Sequence, residues 1–232
     1  MTRFEGHKLI SDQIDSIELT VIVRELRRVL EALVEGDAVE FGCFVGTTSL
    51  FLQRSLETFP RTILGKPNEE IASPKPFQGL SLENLEKPEE QTKLLWLYDS
   101  FEGLPEKSKQ DSSPAGLQFK TGELSASKKQ LILNFKKAGL RLPKIKKAWF
   151  SELSPDDLPD KICFAFLDGD YYESIKDSLK LIWPKLSKGS VVIVDDYTNE
   201  ALPGAETAVS EWLVAHKASL KVESSLAILS KE

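Results

Sequence analysis

The chain has 232 residues, 41% hydrophobic and 28% charged, with a formal net charge of −6 and a pI near 5.2. That length and balance suit one domain with a large core. The acidic excess argues against a nucleic-acid backbone as the main partner, since phosphates select a basic face. No run approaches the ~20 apolar residues of a membrane span. Met1 to Gln13 lacks an apolar h-region, so a cytoplasmic location is the default expectation. Cys43 and Cys163 lie in apolar runs without CxxC or Cys/His spacing, which predicts two buried thiols and no zinc site.

In chain order, Ile14 to Leu33 carries an apolar stripe at helical spacing, and Gly36-Asp37 ends that N-terminal helical segment (1–36). Ala38 to Phe44 is a buried strand. Gly46-Thr47-Thr48-Ser49 opens a helix toward Arg54, with a hydroxyl available as its cap. Residues 60–92 hold five of the twelve prolines and little periodicity, and they read as a surface insertion. Lys93 to Tyr98 is the second strand. Glu102 to Ser127 is long and rich in Gly, Pro, Ser and Lys, enough to form a lid. Lys128 to Ala138 is a helix closed by Gly139. Ile145 to Phe150 is a third strand and Ile162 to Leu167 a fourth. Ser174 to Trp183 is a helix, Ser190 to Val194 a fifth strand and Ala205 to His216 a helix. Leu220 to Glu223 and Leu226 to Leu229 are two short strands around Ser224-Ser225. Alternating helices and strands that are apolar on both faces predict an α/β sandwich. Its sheet is seven-stranded and mostly parallel, with an antiparallel C-terminal edge hairpin.

In such a sheet ligands bind beyond the C-terminal ends of the strands. After strand one come Glu40-Phe41-Gly42-Cys43-Phe44-Val45-Gly46, where two glycines let the backbone turn tightly and approach a ligand. Thr47 follows directly. Strand two ends in Tyr98-Asp99-Ser100-Phe101. A carboxylate there can accept both hydrogen bonds of a ribose diol, and Phe101 can lie against an adenine face. Trp149-Phe150 adds aromatic surface at the same edge.

Strand four ends in Leu167-Asp168-Gly169-Asp170 and strand five in Val194-Asp195-Asp196. Adjacent parallel strands would bring these ends within about 5 Å. Carboxylates so crowded repel one another unless a cation sits among them, and hard oxygen ligands favour Mg²⁺, Mn²⁺ or Ca²⁺. Asp168, Asp195 and Asp196 are the expected metal ligands. Three carboxylate oxygens leave octahedral positions for two neighbouring substrate hydroxyls and a water.

These strings together resemble the macrocin O-methyltransferase (TylF-type) family of class I methyltransferases, whose glycine turn is E-x-G-x-x-x-G. The resemblance covers about Val39 to His216 apart from the insertion. It rests on Val39-Glu40-Phe41-Gly42, on Tyr98-Asp99-Ser100-Phe101-Glu102-Gly103-Leu104-Pro105, and on Leu167 to Ser174 with Val192 to Tyr197. It implies a Rossmann-like class I fold, S-adenosylmethionine as donor and Mg²⁺-dependent transfer to a sugar hydroxyl. Donor contacts would come from Glu40, Gly42, Gly46, Thr47, Asp99, Ser100, Phe101, Trp149, Phe150 and Asp168. The metal arrangement is also similar to that of catechol O-methyltransferases. The lysine those enzymes carry after the first aspartate is absent from Gly169-Asp170-Tyr171, leaving Asp168 or Asp170 as candidate base. The partners implied are a small-molecule acceptor and, compatibly, a second copy of the chain, with no nucleic acid and no membrane. A catechol or phenol acceptor, a non-catalytic methyltransferase-like binding module and an NAD-type oxidoreductase are the rival readings. The glycine spacing disfavours the oxidoreductase.

Overall fold

The computed structural model describes residues 3–4, 7–63 and 93–231, so most of the expected insertion lies outside the described residues. A short hairpin, β1 (Arg3–Phe4) and β2 (His7–Lys8), precedes helix α1 (Ser16–Glu31). Asp15 starts α1 by accepting the N–H groups of Ile17 and Glu18, while Glu18 accepts the Asp15 N–H in return. This reciprocal box satisfies donors that a helix start otherwise leaves unpaired. There follow β3 (Asp37–Phe41), α2 (Thr47–Ile63), β4 (Leu95–Asp99), α3 (Lys128–Ala138), β5 (Lys144–Lys147), β6 (Ile162–Leu167) and α4 (Tyr172–Ile182). The last elements are β7 (Leu186–Val194), α5 (Pro203–Ala215), β8 (Ala218–Glu223) and β9 (Leu226–Lys231).

Among the described residues, seven strands form one sheet in the order β5-β4-β3-β6-β7-β9-β8. β5, β4, β3, β6 and β7 pair in parallel, and β9 pairs antiparallel with both β7 and β8. The predicted architecture is therefore present. Several bounds differ from the sequence reading, three of them with a clear local cause. α2 runs past Arg54 to Ile63, so Pro60 falls in its last turns. β7 begins at Leu186 rather than Ser190, because Leu186 pairs with Ile162 across a register shift. β5 stops at Lys147, and the chain then turns where the Glu152 carboxylate accepts the Trp149 N–H.

Strict alternation explains why the central strands are apolar on both faces. On β6, Phe164 and Phe166 pack into the core beneath α1 to α3, while Ala165 and Leu167 pack beneath α4 and α5. On β7, Val191 and Ile193 face the first layer, and Val192 and Val194 the second. Cys43 and Cys163 are free and buried, as expected. No described helix is long and apolar enough to cross a membrane.

Register brings the strand ends to one level. Phe41 lies beside both Tyr98 and Leu167, and Leu167 beside Val194. The ladder continues one step beyond, with Asp168 N–H donating to the Phe41 carbonyl at 2.8 Å and Asp195 N–H to the Leu167 carbonyl at 2.9 Å. The loops carrying the acidic motifs thus leave the sheet side by side. Phe166 is fully buried in the central strand of this arrangement. Phe166→Ala should cost about 3–5 kcal/mol in urea unfolding, the usual cost of an aromatic-sized core cavity.

Candidate functional site

The turn after β3 is built by close approach. Gly42 has φ +83°, and a Cβ there would lie 1.8 Å from the Asp168 carbonyl oxygen. Gly46 has φ +91°, and a Cβ there would lie 2.4 Å from Leu131 Cδ1. Both positions need glycine for their backbone angle, and Gly42, facing backbone, needs it for space as well. Asp99 fastens the end of β4 to this turn. Its Oδ2 accepts the Cys43 N–H at 2.8 Å and the Phe44 N–H at 3.0 Å, and its Oδ1 accepts the Phe101 N–H at 2.6 Å. A carboxylate has about four acceptor positions, so little capacity remains for a ribose diol. Ser100 is buried, and its Oγ accepts the Glu102 N–H at 3.1 Å.

Glu40 lies beneath the turn, 1% exposed, and its Oε2 finds no hydrogen-bond partner among the described residues. Burial, with the Asp99 charge adding, pushes its carboxyl up to about 8. Gly46, Thr47 and Phe101 also stand back from the cleft. Thr47 Oγ1 meets Ser11 Oγ at 2.5 Å, and Phe101 packs on the helix-side core. Gly42, Asp99, Ser100, Trp149, Phe150 and Asp168 do line the cleft, whose free volume is about 250 Å³. Phe150 meets Phe41 edge-on at 5.2 Å between ring centres.

The acidic motifs converge in the same cleft. Asp168, Asp170 and Asp196 each offer a carboxylate oxygen, all within 4.8 Å of one another. All three are half-buried. Asp195, expected in this group, instead stands behind it. It is 6% exposed, and its Oδ1 accepts the Asp196 N–H at 2.8 Å. The member that joins in its place is Asp170, which the sequence reading holds as a candidate base. Asp170 and Asp196 have φ of +58° and +55°, a left-handed backbone that costs non-glycine residues energy, aspartate less than most.

The electrostatics are those of carboxyl groups crowded out of water. Burial, then Asp195, Asp170 and Asp196, push the Asp168 carboxyl well above its ordinary range. Burial, with Asp196 and Asp99, raises Asp170 to about 8. Burial, with Asp196 and Glu18, lifts Asp195 well above its ordinary range, and burial lifts Asp196 too. Low dielectric and like charge act in the same direction at each of the four.

Much of the remaining wall comes from residues without a sequence signal. Asp12 and Gln13 reach the cleft because Leu9 and Ile14 anchor the preceding strap in the core. Leu104, Pro105, Phe119 and Leu124 enter from the 102–127 segment, and Asn199 and Leu202 from the loop after β7. The GLP string after Glu102 was the available clue to Leu104 and Pro105. Nothing local marks Asp12 or Gln13 as facing a cleft.

A family model described as macrocin-O-methyltransferase (TylF) matches residues 80–225. The 8-demethyl-8-(2,3-dimethoxy-alpha-L-rhamnosyl)-tetracenomycin-C 4'-O-methyltransferase of Streptomyces olivaceus is 29% identical over 179 residues, covering 75% of this chain and 57% of the relative. The chain spans between 46% and 57% of the length of the curated relatives it matches. Among solved structures, the O-methyltransferase NovP superposes with a TM-score of 0.69 at 24% identity, over 94% of this chain and 81% of that one. The S-adenosylhomocysteine-bound Podospora anserina methyltransferase PaMTH1 does so with a TM-score of 0.58 at 10% identity, over 95% and 80%. At these identities the superpositions establish a shared fold.

The acid cluster has a measurable signature. The folded chain keeps the Asp170 proton up to about pH 8, whereas an unfolded carboxyl releases it near pH 4. Between those values the folded state binds more protons, so stability falls as pH rises. Metal-free protein should therefore melt at a lower temperature at pH 8.5 than at pH 6. Added Mg²⁺ or Mn²⁺ should raise Tm more at pH 8.5, and Asp196→Asn should shrink both differences. A metal-free Tm that climbs from pH 6 to 8.5 would contradict this account of the cluster.

Proposed function

Because the chain belongs to the macrocin-O-methyltransferase (TylF) family, we propose that it transfers a methyl group from S-adenosylmethionine to a hydroxyl of a sugar or glycosylated small molecule. The observation that carries this reading is the meeting of two surfaces in one cleft. The Gly42 turn and the Trp149-Phe150 pair line it together with the Asp168, Asp170 and Asp196 carboxylates. The turn and the aromatic pair suit a nucleoside and an amino-acid chain. The carboxylates suit the oxygen that receives the methyl group.

On the donor side, Gly42 lets the backbone approach the ligand, while Asp99 fastens the turn through the Cys43 and Phe44 N–H groups. Ser100, Trp149 and Phe150 offer a hydroxyl and flat apolar surface beside it. Glu40, Gly46, Thr47 and Phe101 support the turn from behind. Holding donor and acceptor in line supplies on the order of 7–11 kcal/mol of the barrier reduction.

The donor set fits a hard divalent cation such as Mg²⁺: the groups acting on Asp168 are acidic, and three carboxylate oxygens converge on one point. Asp168 and Asp196 would hold it, with Asp170 in the same group and Asp195 behind Asp196. When bound, the cation orients neighbouring hydroxyls of the acceptor and makes them more acidic. In the transfer itself, a lone pair of the acceptor oxygen forms the new bond to the methyl carbon. The carbon–sulfur bond breaks and its electron pair stays on sulfur, giving the neutral thioether. With the cation's charge offsetting the repulsion, Asp170 would be ionised and so suited to take the hydroxyl proton, and Asp168 is the alternative. Leu104, Pro105, Phe119, Leu124 and Leu202 give the acceptor end an apolar flank, which fits the aglycone of a glycoside.

Calorimetry with S-adenosylhomocysteine, in Mg²⁺ and then in EDTA, should detect binding in at least one buffer. Its absence in both would sink the donor assignment. Turnover on a panel of glycosides and catechols should require divalent cation and fall at least ~10²-fold in Asp196→Ala. Wild-type rates in that variant, with no effect of chelator, would remove the metal from the mechanism.

A further inference from the structure

The 102–127 segment is docked by one buried carboxylate beside the apolar contact of buried Leu104 with Tyr171 and Leu202. It contains two short 3-10 turns, Lys109–Asp111 and Pro114–Gly116. Asp111 ends the first and is 1% exposed. Its Oδ1 accepts the Tyr172 N–H at 2.7 Å, and its Oδ2 accepts the Ser108 N–H at 2.8 Å and the Ser108 hydroxyl at 2.5 Å. Tyr172 is the first residue of α4, whose own N-cap, Tyr171, makes no side-chain cap bond. α5 likewise starts without a side-chain cap, at Leu202. Gly204 in its first turn comes so close that a Cβ there would lie 1.8 Å from Asp111 Oδ1 and 2.6 Å from the Tyr172 nitrogen. One carboxylate thus stands at two helix starts that lack caps of their own, where N–H groups and helix dipoles favour an anion.

The surrounding contacts join the same pieces. Ser113 Oγ donates to the Glu200 carbonyl at 2.6 Å, and a Cβ on Gly116 would lie 2.2 Å from the Ala201 oxygen. Tyr171 donates its hydroxyl to the Phe119 carbonyl at 3.3 Å. Lys107 Nζ lies 5.7 Å from the Tyr171 ring centre and donates to the Gly116 carbonyl at 2.6 Å. The loops gripped are the one that follows Asp170 and the one that follows Asp196.

We infer that Asp111 is a positioning residue that latches the 102–127 segment over the acceptor end of the cleft and, through the Tyr172 N–H, holds the backbone bearing Asp170. The inference rests on the proposed function, in which Asp170 takes the acceptor's proton. Asp170 sits at φ +58°, a conformation that persists only where its surroundings over-determine it. Lifting the segment strips α4 of its cap two residues beyond Asp170, so closure over the acceptor and placement of the base are one event. An asparagine at 111 keeps an acceptor for Tyr172 but loses one for the Ser108 N–H, so it retains half of the latch.

The test compares wild type, Asp111→Ala and Asp111→Asn by three readouts. These are the rate of tryptic cleavage at Lys107, Lys109 and Lys120, mapped by mass spectrometry, the Kd for S-adenosylhomocysteine, and kcat and KM for the acceptor. In Asp111→Ala, cleavage within the segment should quicken about tenfold or more. The S-adenosylhomocysteine Kd should stay within about twofold, and kcat should fall about tenfold or more. Asp111→Asn should fall between the two. Unchanged cleavage in the alanine variant would overturn the latch, and faster cleavage with unchanged kcat would overturn its link to Asp170. Loss of S-adenosylhomocysteine binding in both variants would make Asp111 a residue of the whole fold and overturn the inference equally. Should wild type turn over no acceptor, the functional reading fails by itself, while cleavage and S-adenosylhomocysteine binding still judge the latch.

Discussion

Like charges held together in a half-buried space set the terms for the rest of this molecule. β3, β6 and β7 lie side by side and in register, so the residues that follow them emerge next to one another. Asp168, Asp170 and Asp196 have nowhere to separate to, and Asp195 lies directly behind. Such an arrangement opposes folding until protons or a cation neutralise it. The two apolar layers on either face of the sheet supply the offsetting burial, with Phe164, Phe166, Val192 and Val194 at 0–1% exposure.

The same economy extends to the backbone. Phe44, Phe101, Asp170 and Asp196 all adopt positive φ just past strand ends, at about 1–3 kcal/mol each for a strained non-glycine residue. Each is held by neighbours from another loop or by its own turn. Asp99 binds the N–H groups of Phe44 and Phe101, and Asn199 donates to the Asp196 carboxylate at 2.8 Å. Asp99 therefore serves the geometry of the Gly42 turn through the backbone more than through a free carboxylate.

Local patterning made much of this legible. The bounds of α3 and β6 are those that their residues announce: a serine before and a glycine after the helix, and an unbroken apolar run for the strand. The DGD and DD motifs lie at adjacent strand ends because strand alternation and parallel pairing leave few other arrangements. What the sequence could not disclose depends on direction in space. Whether Asp170 or Asp195 joins the cluster turns on a left-handed backbone angle at Asp170 and on the Asp195 carboxylate turning to accept the Asp196 N–H. Whether Asp99 is free or bound turns on where the Gly42 turn passes. Asp12 and Gln13 reach the cleft through the anchoring of Leu9 and Ile14, contacts that span most of the fold.

The order of the sheet also bears on how it is assembled during synthesis. β9 leaves the ribosome after β8 yet occupies the place between β8 and β7. Until β9 arrives, one side of β7 presents unpaired amides and carbonyls, a template for pairing with another nascent chain. β7 is also the strand that leads into Asp195 and Asp196. The strand that carries the acidic pair is thus paired on both sides only once β9 has emerged, and until then its open edge is exposed to misassociation.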